Sequence, residues 1–61
     1  MNELRARLER LQADAEDCAQ IRDLATDPEE RELFARLARH LTLLAQEMKA
    51  AIDTLTADKR D

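Results

Sequence analysis

One interruption divides a sequence that otherwise favours helix throughout, the segment Thr26-Asp27-Pro28-Glu29-Glu30. Proline disfavours helical geometry at the residue before it and suits the first position of a new helix. Asp27 is a good N-cap, and we expect its carboxylate to accept a hydrogen bond from the Glu30 amide while the Glu30 carboxylate returns to the Asp27 amide. Because this link is short, the helices on either side are predicted to fold back antiparallel.

The composition around this break supports helix and little else. The 61 residues include no glycine, no valine, a single proline and a single aromatic residue, whereas Leu, Ala, Glu and Arg, all good helix formers, make up more than half of the chain. We therefore predict an all-α fold, an antiparallel two-helix hairpin with helices at about 2–25 and 28–57. The chain is expected to form one domain, 1–61, in which residues 58–61 are a frayed tail.

Apolar residues recur at steps of three and four along both predicted helices, as one buried helical face requires. In the second helix this stripe runs from Phe34 to Leu55, and Leu33 and Leu43 widen it beyond what one partner helix can cover. The residues predicted for the hairpin core or a dimer interface are Leu4, Leu8, Leu11, Ala15, Cys18, Ile21, Leu33, Phe34, Leu37, Leu41, Leu44, Met48, Ile52 and Leu55.

A chain this short is marginally stable alone and usually needs a disulfide, a metal or association. Cys18 has no second cysteine to pair with, so association is the remaining means of stabilisation. We expect two hairpins to pair as a homodimeric four-helix bundle. A larger bundle, or another helical protein as the partner, is left open.

Neither His40 nor Cys18 has the neighbours that a functional site would need. No Glu-x-x-His spacing, Gly-rich phosphate loop, Cys-x-x-Cys pair or Ser-His-Asp pattern occurs in the sequence. His40 is expected at the boundary of the apolar stripe and Cys18 within it, as a small core residue. The sequence therefore predicts no catalytic residue, no cofactor, no metal and no enzymatic activity.

Charge is unevenly distributed along the chain. Residues 14–32 carry eight acidic residues against two arginines, a local net charge of −6, and we expect a solvated acidic end at the turn. Candidate nucleic-acid contacts on the two helices are Arg5, Arg7, Arg10, Arg36 and Arg39. A net charge of −4 and the lack of an exposed aromatic residue for base stacking argue against nucleic acid as the main partner.

The segment from Thr26 to Leu41, TDPEERELFARLARHL, resembles a stretch found in short uncharacterised bacterial helical-hairpin proteins, a resemblance that implies no function. No apolar run is long enough for a signal peptide or a transmembrane span, and with one unpaired thiol we expect a cytoplasmic protein without a membrane partner. The predicted function is a small interaction or regulatory protein that acts as a homodimer. Alternatives are a dimeric RNA- or DNA-binding module and a small subunit of a larger helical assembly.

Overall fold

The computed structural model describes residues 2–58, and over that range it consists of two helices and no strand. Helix α1 spans Asn2–Leu24 and helix α2 spans Pro28–Asp58. The predicted all-α fold is confirmed, with each helix boundary within one residue of its predicted position. Of the predicted frayed tail, Asp58 is the last residue of α2, and residues 59–61 lie outside the described residues.

The dimensions of the molecule show that the two helices lie side by side. At 1.5 Å per residue, α1 and α2 are about 34 and 46 Å long, so a chain with both helices end to end would approach 80 Å. The molecule measures 52 × 15 × 11 Å, and the helices pack against each other along their length. It is therefore a hairpin. Since α2 has 31 residues and α1 has 23, the last two turns of α2 project beyond the start of α1.

The turn is held by an aspartate N-cap, with one difference from the prediction. The Asp27 carboxylate accepts a hydrogen bond from the Glu29 amide, at 3.1 Å, and the Asp27 carbonyl accepts one from the Arg31 amide, at 2.9 Å. The cap thus engages the second amide of α2, that of Glu29, whereas the third, that of Glu30, was predicted. Either amide can satisfy an N-cap oxygen. No bond from the Asp27 amide to the Glu30 carboxylate occurs among the described residues.

A side chain from α2 closes the other half of the turn. The Arg31 guanidinium donates a hydrogen bond to the carbonyl of Ala25, at 3.0 Å, just after α1 ends. The Ala25 amide in turn donates to the Ile21 carbonyl, at 2.9 Å, which extends the helical bonding by one residue. A basic group suits this position because the last carbonyls of a helix lack partners and carry negative partial charge.

The seam between the helices is narrow and is centred on two alanines. Within the described residues only Ala38 and Ala45 are buried, at 7% and 5% exposure. Their neighbours along the seam are half-buried: Leu8, Leu11, Ala15 and Cys18 from α1, and Phe34, Leu41, Met48 and Ile52 from α2. Ala38 and Ala45 thus meet α1 where Leu37 and Leu44 were predicted, one position earlier. The methyl side chains of the two alanines allow the helices to approach closely.

Candidate interaction surface

A row of large apolar side chains on α2 is left uncovered by α1. Leu33, Leu37, Leu44 and Leu55 are 37–50% exposed, and Ala51 lies exposed in the same row. Their spacings of four, seven, seven and four residues keep them on one side of the helix, adjacent to the seam. These five residues are called the leucine stripe below. Four of them were predicted for the core or dimer interface, and the single chain leaves all four in contact with solvent.

The helix α1 contributes much less apolar surface to this side. Helical spacing places Arg7, Asp14 and Ile21 there, seven residues apart, and of these only Ile21 is apolar. Ile21 and Leu4, two further predicted interface residues, are exposed at 44% and 36%. On this side of the hairpin the exposed apolar surface is therefore mainly that of α2, while the most exposed apolar side chain, Leu24 at 81%, lies at the end of α1.

The opposite side of the hairpin carries a groove of mixed polar and apolar character. This shallow groove between the helices is lined by Gln12 and Ala15 from α1, and by Thr42, Ala45, Gln46 and Lys49 from α2. Polar and charged side chains along a groove indicate a solvated surface. This groove thus mixes polar side chains with alanines, whereas the leucine stripe is a row of large apolar side chains.

His40 and Cys18 lie in separate places and form no ligand set. His40 is exposed and lines a shallow depression with Leu43, Leu44 and Glu47, whereas Cys18 is half-buried in the seam with a free thiol. Within residues 2–58 no three histidine, cysteine or acidic side chains come close enough together to hold a metal ion. The depression at His40 combines two leucines, an imidazole and a carboxylate on an open surface.

The structure spreads the predicted nucleic-acid arginines over different sides of the hairpin. Arg5 and Arg7 are two positions apart on α1, which turns their side chains about 200° from each other. The Arg10 guanidinium lies 4.0 Å from the Asp14 carboxylate. Arg36 and Arg39 share a depression with Ala35 and an acidic neighbour, Glu32. The five arginines therefore do not form one basic face.

The exposed area of the chain is large for its mass. A compact monomer of 7.0 kDa is expected to expose about 4,000 Å², whereas this chain exposes 5156 Å², about 1,100 Å² more. Its radius of gyration is 14.6 Å, against about 10.5 Å for a compact domain of this length. No side chain of the described residues is fully buried. A single hairpin thus has a seam but lacks a core.

The two buried residues of the seam flank the predicted stripe and were not among the predicted core residues. Ala38 and Ala45 are seven residues apart and continue the steps of three and four through Phe34, Leu41 and Met48. Leu37 and Leu44 satisfy the same periodicity one position earlier, and larger side chains made that second repeat the more conspicuous one. A preference for small residues where two helices meet would have identified the alanine repeat.

No family model matches the chain, and no curated protein or solved structure matches it either. Neither described helix has the length and apolar character that crossing a membrane would require. Function must therefore be inferred from the geometry and chemistry of the hairpin.

Proposed function

We propose that this chain is a small interaction protein without enzymatic activity, and that it works as a homodimer in which two hairpins form a four-helix bundle. The observation that carries this proposal is the leucine stripe, in which four leucines on one side of α2 are left 37–50% exposed. Soluble proteins rarely leave such rows uncovered, and contiguous apolar patches mark association sites.

The area available for burial fits a second hairpin. A stable protein–protein interface buries about 800 Å² on each partner. The chain exposes about 1,100 Å² more than a compact monomer of its mass is expected to expose. Covering the stripe with an equal stripe would supply the second layer of burial that a small helical protein needs.

The chemistry of this side supports binding and no reaction. The stripe consists of aliphatic side chains, which can pack but cannot donate, accept or transfer a proton. The half-buried Cys18 serves as a small packing residue, and a reducing cytoplasm would keep its thiol reduced. We therefore assign the protein a role as a cytoplasmic structural or regulatory partner that needs no cofactor.

Thermal unfolding at several protein concentrations tests whether folding and association are coupled. If the folded form is a dimer and the unfolded form a monomer, mass action stabilises the folded form as concentration rises. The midpoint of the loss of helical circular dichroism should increase steadily with concentration. A midpoint that stays constant over a hundredfold dilution, with helicity retained, would contradict the homodimer.

A further inference from the structure

We propose that the second copy docks antiparallel on the leucine stripe, with the two-fold axis passing through Leu44, so that the two turns lie at opposite ends of the bundle. This inference rests on the proposed homodimer and specifies its geometry. Three features of the hairpin carry it: the symmetry of the stripe, the difference between the two helices, and the position of the acidic residues.

The positions of the leucine stripe are spaced symmetrically about Leu44. Leu37 and Ala51 lie seven residues to either side, and Leu33 and Leu55 lie eleven residues to either side. A two-fold axis perpendicular to α2 at Leu44 sets Leu33 opposite the partner's Leu55. It sets Leu37 opposite the partner's Ala51, large against small, and Leu44 opposite its own counterpart. In a symmetric dimer each contact off the axis is made twice and the Leu44 contact on the axis once, so the whole stripe is covered by one operation.

The other face-to-face dimer would cover the stripe poorly. A two-fold axis parallel to the helices places α2 of one hairpin on α1 of the other. The leucine stripe would then meet the side of α1 that carries Arg7, Asp14 and Ile21, where two of the three side chains are charged. Burying those charges against leucine is costly unless they find partners. The perpendicular axis stacks α2 on α2, so the leucines meet apolar side chains. It also stacks α1 on α1, so Arg7 and Asp14 face the same side of the partner's α1, where charges of both signs can pair.

The acidic end of the hairpin favours the same arrangement. Residues 14–32 carry a net charge of −6 and include the turn. The axis parallel to the helices would bring two such ends together. The perpendicular axis separates the two Asp27 residues by about 50 Å along the bundle, because each lies 17 residues from Leu44 at 1.5 Å per residue. That separation is several times the Debye length of about 8 Å at physiological salt, so the repulsion is screened.

Distances between nitroxide labels can distinguish the two dimers. Cys18→Ala removes the native thiol, and Glu32→Cys or Thr54→Cys then provides a single exposed labelling site on α2, away from the leucine stripe. In the antiparallel dimer, two labels at position 32 are separated along the bundle axis by about 36 Å, and two labels at position 54 by about 30 Å. A label at position 32 and a partner label at position 54 are separated along the axis by only about 3 Å. Pulsed dipolar electron paramagnetic resonance measures such distances.

The expected result is a new and shorter distance that appears only when the two labelled proteins are mixed. If each protein alone gives the short distance and mixing adds a longer one, the antiparallel geometry is wrong while the homodimer stands. If no sample shows dipolar coupling and each has the mass of one chain, the homodimer itself fails. Should either variant unfold, as judged by circular dichroism, Arg39→Cys and Lys49→Cys repeat the test, with axial separations of about 15 Å alone and near zero when mixed.

Discussion

Replacing Leu44 with glutamate is expected to dissociate the dimer and to remove most of its helical structure at the same time. Leu44 is half-exposed in the single chain and lies on the proposed two-fold axis, so each dimer loses the remaining burial of two leucines. Burying the exposed half of one leucine is worth about half of the 1.5–3 kcal/mol for a fully buried one. The two copies of Leu44 together therefore contribute about 1.5–3 kcal/mol per dimer. Two carboxylates facing each other without partners add a further cost. Together these losses predict a dimer at least about a hundredfold weaker.

The neighbouring Leu43 provides a matched control for this variant. Leu43 is 49% exposed and Leu44 is 50% exposed, but one residue turns the Leu43 side chain about 100° away from the leucine stripe. Leu43→Glu should therefore keep both the mass and the helicity of the wild-type protein in sedimentation and circular dichroism. If the two glutamate variants behave alike, the effect is one of general surface charge, and the stripe is not the interface.

Enlarging the two seam alanines is expected to unfold the hairpin even though it adds apolar surface. Ala38→Leu and Ala45→Leu each insert a side chain where the helices come closest, and overpacking of this kind costs about 1–3 kcal/mol per site. The sites are seven residues, or about 10 Å, apart. Their costs should therefore be nearly additive, which predicts a loss of about 2–6 kcal/mol in the double variant. That is a large share of the stability of a small domain, about 5 kcal/mol or more.

Urea unfolding measures this loss, and two exposed alanines supply the control. Ala13 and Ala50 lie on the outer surfaces of α1 and α2, where a leucine has room and where its helix propensity is close to that of alanine. The Ala13→Leu, Ala50→Leu double variant should unfold at nearly the wild-type urea concentration. A seam double variant as stable as this control would mean that α1 and α2 do not meet at Ala38 and Ala45.

The hairpin could be predicted from the sequence because its signals are local. Proline at position 28 and aspartate at position 27 restrict the backbone and cap the new helix whatever lies elsewhere in the chain, and the structure places the helix start there. The choice between the Glu29 and Glu30 amides depends on side-chain and backbone angles of a few degrees, which a residue pattern does not encode.

The rotation of α2 was harder to predict because two apolar repeats overlap in it. One repeat contains Ala38 and Ala45, the other contains Leu37 and Leu44, and the periodicity is the same for both. Periodicity alone identifies an apolar sector without saying which edge meets the nearer helix. That choice depends on how closely the helices approach, and hence on side-chain size. The apolar surface of α2 is wider than α1 covers, as predicted, but the part left exposed is mainly the predicted central stripe, with Leu37, Leu44 and Leu55, and not only its predicted flanks.

Sedimentation equilibrium of the wild-type chain at micromolar concentration tests the central proposal most directly, because it measures mass without any label or substitution. We expect a single species with twice the chain mass of 7.0 kDa, and with the strong helical circular dichroism of a folded bundle at the same concentration. A folded species with the mass of one chain would contradict the proposal, because the leucine stripe would then be stable in water without a partner.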